Sequence, residues 1–191
     1  YHENKTSVWS NDRIVIRKVD TGNYKGRNMV FQRMPNCFLD QLSDQIDISD
    51  IYAGSQDRFS AITLMMNDPL SLWYCKMKKE FFTERYALAM MFEDEFIKDF
   101  RYCNFDSVIC RDDSVRQLLP SAQIKAKLVP EIKLLSNLEM FYDDTSYLSG
   151  SIPSEIGMLS NLSWLHFGKK KRDGFYAIAK RLIKSFHFLS L

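Results

Sequence analysis

The sequence predicts an α/β fold in which a short solenoid of parallel strands, one strand per repeat, follows a helical segment. Two observations predict it. Ile124, Leu128, Glu131, Ile132, Leu135, Ser136, Asn137 and Leu138 return as Leu148, Ile152, Glu155, Ile156, Leu159, Ser160, Asn161 and Leu162, 24 residues later. Apolar positions recurring every ~20 to 29 residues mark supersecondary units that bury their core only against their neighbours. Upstream, Phe82, Tyr86, Ala89 and Met90 share one face of a helix, and Phe59, Ile62 and Met66 give a shorter stripe that stops before Pro69.

Taken in order, residues 1–54 carry mixed charge and scattered aromatics without a clean period, and read as a poorly ordered linker or upstream segment. Val8, Ile14 and Ile16 allow one short strand there. Residues 55–114 form the helical segment, and 115–168 the repeats. In the repeats Leu138, Phe141, Leu162, Leu165 and Phe167 are expected to point inward from short strands. Leu148, Ile152, Ile156 and Leu159 fill the turn and the opposite wall, and Pro153 fixes an extended connector.

The second copy, Leu148-Ser149-Gly150-Ser151-Ile152-Pro153-Ser154-Glu155-Ile156-Gly157-Met158-Leu159-Ser160-Asn161-Leu162-Ser163-Trp164-Leu165, resembles the plant-type leucine-rich repeat LxGxIPxxLxxLxxLxxL, also found in large secreted or membrane-bound algal and diatom proteins. The first copy departs from it, with Val129 in the place of Pro153 and Lys127 in that of Ser151. Asp143 stands where that family places an inward Leu, and Ala122, Ser146 and Lys170 where it places an Asn. Cys103-Asn104-Phe105-Asp106-Ser107-Val108-Ile109-Cys110 resembles the end of the family's N-terminal cap, CxWxGVxC, and Glu84-Arg85-Tyr86-Ala87-Leu88-Ala89 resembles the cap helix of algal members. The resemblance implies a leucine-rich-repeat solenoid behind a helical N-terminal cap, part of a longer protein.

Four cysteines are present. The cap resemblance implies a structural disulfide between Cys103 and Cys110, which requires an oxidising compartment; two reduced thiols are the competing reading. A zinc site fits less well, because neither cysteine pair forms a short CxxC hook and His2, His166 and His187 are scattered. Cys37 and Cys75 could pair with each other, but spacing does not fix connectivity. Asn4 and Asn161 head glycosylation sequons, as suits secretion.

The formal charge of +2 gives no general attraction to nucleic acid. Composition, with 46% hydrophobic residues, supplies a core, yet no apolar run reaches the roughly 18 residues of a membrane helix. The tail, 169–191, opens on Lys169-Lys170-Lys171-Arg172 and continues with Phe175, Ile178, Leu182 and Phe186 at helical spacing among Lys180, Arg181 and Lys184. A basic amphipathic helix lies on an anionic membrane or binds a partner. Two other readings compete: the tail covers the open end of the last coil, or it is a gene-model ending.

No GxSxG elbow, phosphate loop, HExxH or kinase motif set occurs, and no cofactor or metal is expected. Asp94-Glu95, Asp112-Asp113 and Asp143-Asp144 are sequence neighbours, which diverge on a helix and face opposite sides in a strand. The resemblance implies ligand contact on the concave strand face, where Glu139, Met140, Tyr142, Asp144, Thr145, Ser163, Trp164 and His166 are the outward positions. The expected function is non-catalytic recognition of a protein or peptide by an extracellular or membrane-anchored, receptor-like protein. The alternative is a membrane-surface protein in which residues 169–191 bind anionic lipid and the repeats are scaffold.

Overall fold

A computed structural model of the chain describes residues 13–14, 33–34, 36–46, 56–67, 76, 78–92, 102–120, 126–144, 148–167 and 188–190. Among them are three α-helices, α1 (Asn36–Leu42), α2 (Gln56–Asn67) and α3 (Lys79–Met91). Strands β1 (Arg13–Ile14) and β2 (Arg33–Met34) pair antiparallel. A five-stranded sheet runs in the order β3 (Val108–Arg111), β4 (Ser114–Leu118), β5 (Met140–Asp143), β6 (Trp164–Phe167) and β7 (Phe188–Ser190). The β3–β4 pair is an antiparallel hairpin, whereas β4, β5, β6 and β7 run parallel.

This architecture corrects the expected fold class. A small mixed sheet with helix α3 packed on it, and α1 and α2 packed on α3, stands where a leucine-rich-repeat solenoid behind a helical cap was predicted. In a solenoid each unit touches only the next. Here α3 packs at once on α1, α2, β4 and the 3₁₀ turn Pro130–Leu134, and the sheet opens with an antiparallel hairpin. The 24-residue repetition records something more local. Met140, Phe141, Tyr142 and Asp143 pair in register with Trp164, Leu165, His166 and Phe167, and the 3₁₀ turns Pro130–Leu134 and Ser154–Met158 stack beside them. Equivalent turn bonds close each unit, Leu138 N–H to Leu135 O at 2.9 Å and Leu162 N–H to Leu159 O at 3.1 Å.

Helix α3 forms the centre of the core. Glu80 lies in its first turn, where negative charge complements the helix dipole, and Phe92 ends it in an extended conformation with its N–H on Leu88 O. A single buried stripe was expected, but Thr83, Glu84 and Arg85 are buried as well as Phe82, Tyr86 and Met90, and Ala89 is only half-buried. A helix enclosed on nearly every side belongs to a core. Its charged residues hid this in the sequence. In α2, Ala61, Ile62 and Met65 are buried while Met66 is half-buried; the helix ends at Asn67, and the side chain of Phe59 lies outside the description. Helix α1 arises from the stretch read as a linker, yet Phe38 and Leu42 are fully buried and Phe38 meets Phe82 edge-on at 4.9 Å.

The inner side of the sheet is apolar and in register: Leu118, Phe141 and Leu165 pair across β4, β5 and β6 and are all fully buried. Each such side chain contributes about 1.5–3 kcal/mol. Leu138, Leu148, Ile156, Leu159, Leu162 and Phe167 are buried too, with Ile152 half-buried. Asp143, at the place of an inward Leu, is 1% exposed. Gly150, at φ +88°, lets the chain pass close to Leu128, where an added Cβ would meet the Leu128 carbonyl oxygen at 3.0 Å. That approach places Ser149 N–H on Ala126 O and Leu128 N–H on Ser149 O, at 2.8 and 2.9 Å. Expectations at Asn4, Val8, Ile16, Cys75, Asp94, Glu95, Ala122, Thr145, Ser146, Lys170 and residues 169–187 lie outside the described residues.

Candidate functional site

The side of the sheet turned away from the core carries the candidate site. Gln117, Met140 and Trp164 pair across β4, β5 and β6, and all three are half-buried. The hairpin register adds Ile109, opposite Gln117 and 42% exposed. Ile109, Gln117, Met140 and Trp164 thus form one row across four strands. Two residues further along β5 and β6, Tyr142 pairs with His166, and their rings stack at 4.5 Å with planes 17° apart. Large aromatic and thioether groups that are half-exposed on a rigid sheet offer contact area at little cost in side-chain entropy.

Charge lies along one margin of this row. Glu139, just before β5, receives Arg116 Nη1 on its Oε1 at 3.1 Å, and Arg111 Nη1 stands 3.6 Å from the same oxygen. Of the predicted contact residues, Met140, Tyr142, Trp164 and His166 come together on the outward face and Glu139 lies at its margin. Asp144 is exposed at the end of β5, while its neighbour Asp143 is buried. Ser163 serves the fold: its hydroxyl donates to Glu139 O at 3.2 Å. Thr145 falls outside the description. Sequence reasoning missed Ile109, Arg111, Arg116 and Gln117. The available signal was a pair of short runs, 108–111 and 114–118, joined by only Asp112 and Asp113, which is hairpin spacing.

A second polar group sits between α3 and the hairpin. Glu84, 1% exposed, accepts at Oε2 from Tyr102 Oη and Val115 N–H, both at 3.0 Å. Its Oε1 accepts from Ser114 Oγ at 2.5 Å, and Asn137 Nδ2 donates to Ser114 Oγ at 2.9 Å. Burial pushes the Glu84 carboxyl up from its ordinary value, against the lowering effect of these donors. Burial, then the Glu84 charge, pushes the Tyr102 hydroxyl up. An open cleft of about 570 Å³ lies over the group, lined also by Lys78, Glu80, Phe81, Asp112 and Asp113. Both hydroxyls donate to Glu84, so one carboxylate joins α3 to the hairpin and to Tyr102 just before it. Asp112 and Asp113 adopt φ of 54° and 60°, the left-handed pair required by a type I′ hairpin turn.

Cys103 and Cys110 form a disulfide with Cα atoms 5.5 Å apart, and Cys37 is also disulfide-bonded. Asn161 is exposed, and its side-chain amide donates to Ser136 O at 2.9 Å, bridging the two repeat units. Among the described residues no group of three or more His, Cys, Asp or Glu is placed to hold a metal ion, and no helix is long and apolar enough to cross a membrane. No protein-family model matches the chain, and none of the curated proteins or solved structures matches it.

Proposed function

We propose that the protein is a non-catalytic recognition module that binds a protein or peptide segment on the outward face of β3–β6. One observation carries the reading: the in-register row Ile109, Gln117, Met140 and Trp164 with the Tyr142–His166 stack beside it. Tyr, Trp, Met and Arg are the residues enriched where proteins meet, and a few of them hold most of the binding energy. Binding rests on shape and hydrogen bonding, with no bond made or broken. The Cys103–Cys110 disulfide and the bonded Cys37 support an oxidising, extracellular setting.

Selection of a displayed random-peptide library on the full chain tests this reading. Selected peptides are expected to bind Trp164→Ala and Tyr142→Ala at least about tenfold more weakly than the parent, the effect of losing an interface anchor. Peptides that bind both variants as tightly as the parent sink the proposal.

A further inference from the structure

Resting on that reading, we infer that the segment seated on the outward face carries a carboxylate beside its apolar anchor, and that Arg111 and Arg116 receive it. Both guanidiniums reach the same Oε1 of Glu139. Two cations share one anion there, so the margin of the apolar row keeps an excess positive charge. Their donors also exceed the acceptors. Each guanidinium presents five N–H groups in a planar fork. Arg111 is 64% exposed, and the buried Nε–H of Arg116 has no acceptor among the described residues. A carboxylate matches that fork with two parallel hydrogen bonds.

Position makes the match specific. Arg116 and Glu139 directly precede Gln117 and Met140, so the charge lies one residue step, about 3.3 Å, beyond the apolar row. A peptide whose hydrophobic side chain rests on Met140 and Trp164 therefore brings a carboxylate one or two positions along to the guanidiniums. Of the other acidic groups, Asp112 and Asp113 line the cleft beside α3, Asp144 follows the end of β5, and Glu84 lies within electrostatic reach of Arg116 but has its oxygens taken by Tyr102, Ser114 and Val115. A basic segment would meet Glu139 already engaged by two arginines.

Two labelled peptide pools test the inference on the full chain. Both carry a randomised pair of aliphatic or aromatic residues, followed in one pool by Asp-Asp and in the other by Asn-Asn. Fluorescence anisotropy is expected to show the Asp pool binding about tenfold tighter or better. The advantage should shrink as salt is raised. It should vanish in Arg111→Gln and Arg116→Gln, the two pools then binding alike. Arg111 is exposed, so that variant keeps the test valid if Arg116→Gln does not fold. Equal binding of the two pools, with both weakened by Trp164→Ala, overturns the inference and leaves the recognition reading standing. Binding by neither pool that responds to Trp164→Ala defeats both.

Discussion

Ser114 Oγ lies 2.5 Å from Glu84 Oε1, tying the start of β4 to the middle of helix α3. Tyr102 and Val115 hold the other carboxylate oxygen, so one buried side chain joins helix, hairpin and the residue just before the disulfide-closed loop. A carboxyl held above its ordinary 4.5 by burial keeps its proton more tightly folded than unfolded. Its contribution to stability therefore falls as pH rises from the unfolded value through the raised folded one. Glu84→Gln removes that titration and keeps the contacts, with its amide oxygen facing Tyr102 and Val115 and its amide nitrogen facing Ser114. Urea unfolding across this range should show the parent losing stability relative to Glu84→Gln as pH rises; parallel pH profiles would contradict the account. Glu84→Ala strands three donors and should cost about 3 kcal/mol.

The Cys103–Cys110 bond closes a short loop, with a sequence separation of 7. Loop-closure entropy then gives about 2–3 kcal/mol. Cys103→Ala with Cys110→Ala should lower the unfolding free energy by that amount in denaturant titrations. The double variant is the sound comparison, because a reductant would also open the bond at Cys37. An unchanged midpoint and slope would show that the loop is held by its packing alone.

Gly150 combines positive φ with the close approach of Leu128 O. Gly150→Ala adds backbone strain and a tight contact against a main-chain atom, which has little room to yield. A loss of about 1–3 kcal/mol is expected from a calorimetric or denaturant melt. Stability equal to the parent would show that the turn can adopt another conformation.

Asp112 and Asp113 occupy conformations that Asn-Gly adopts with less strain. Asp113→Gly, or the pair exchanged for Asn-Gly, should stabilise the protein by about 0.5–1 kcal/mol. Thermal melts of the two variants decide it. A fall in melting temperature would mean that the aspartate side chains contribute contacts outweighing the backbone relief.

Much of the core was legible in the sequence, and the architecture was not. The 24-residue recurrence located Leu138, Phe141, Leu162 and Leu165, because burial on the inner side of paired strands fixes which positions are apolar. It could not report what those units pack against. That depends on α3, whose Glu84 and Arg85 look like surface residues until Tyr102, Ser114 and Val115 are seen around the carboxylate. Phe38 and Leu42 escaped notice for a different reason: α1 is too short to show a helical period among its charged neighbours. At the candidate site, Met140, Tyr142, Trp164 and His166 were reached through the repeat resemblance, which implies the contact face. Ile109 and the arginines followed only from the hairpin register, which joins residues outside the repeat.

The mixed sheet also separates two classes of folding step. Strands β3 and β4 meet across a two-residue turn, whereas Gln117 must find Met140, and Met140 must find Trp164, across long intervening chain. Local pairings form early because their loop-closure entropy is small. The hairpin is therefore the expected nucleus, with the parallel pairings of β4, β5 and β6 that complete the outward face forming after it. Changes at Asp113 should act mainly on the rate of folding, and changes at Trp164 mainly on the rate of unfolding. A ligand held on the finished face would then prolong the lifetime of the folded state without hastening its formation.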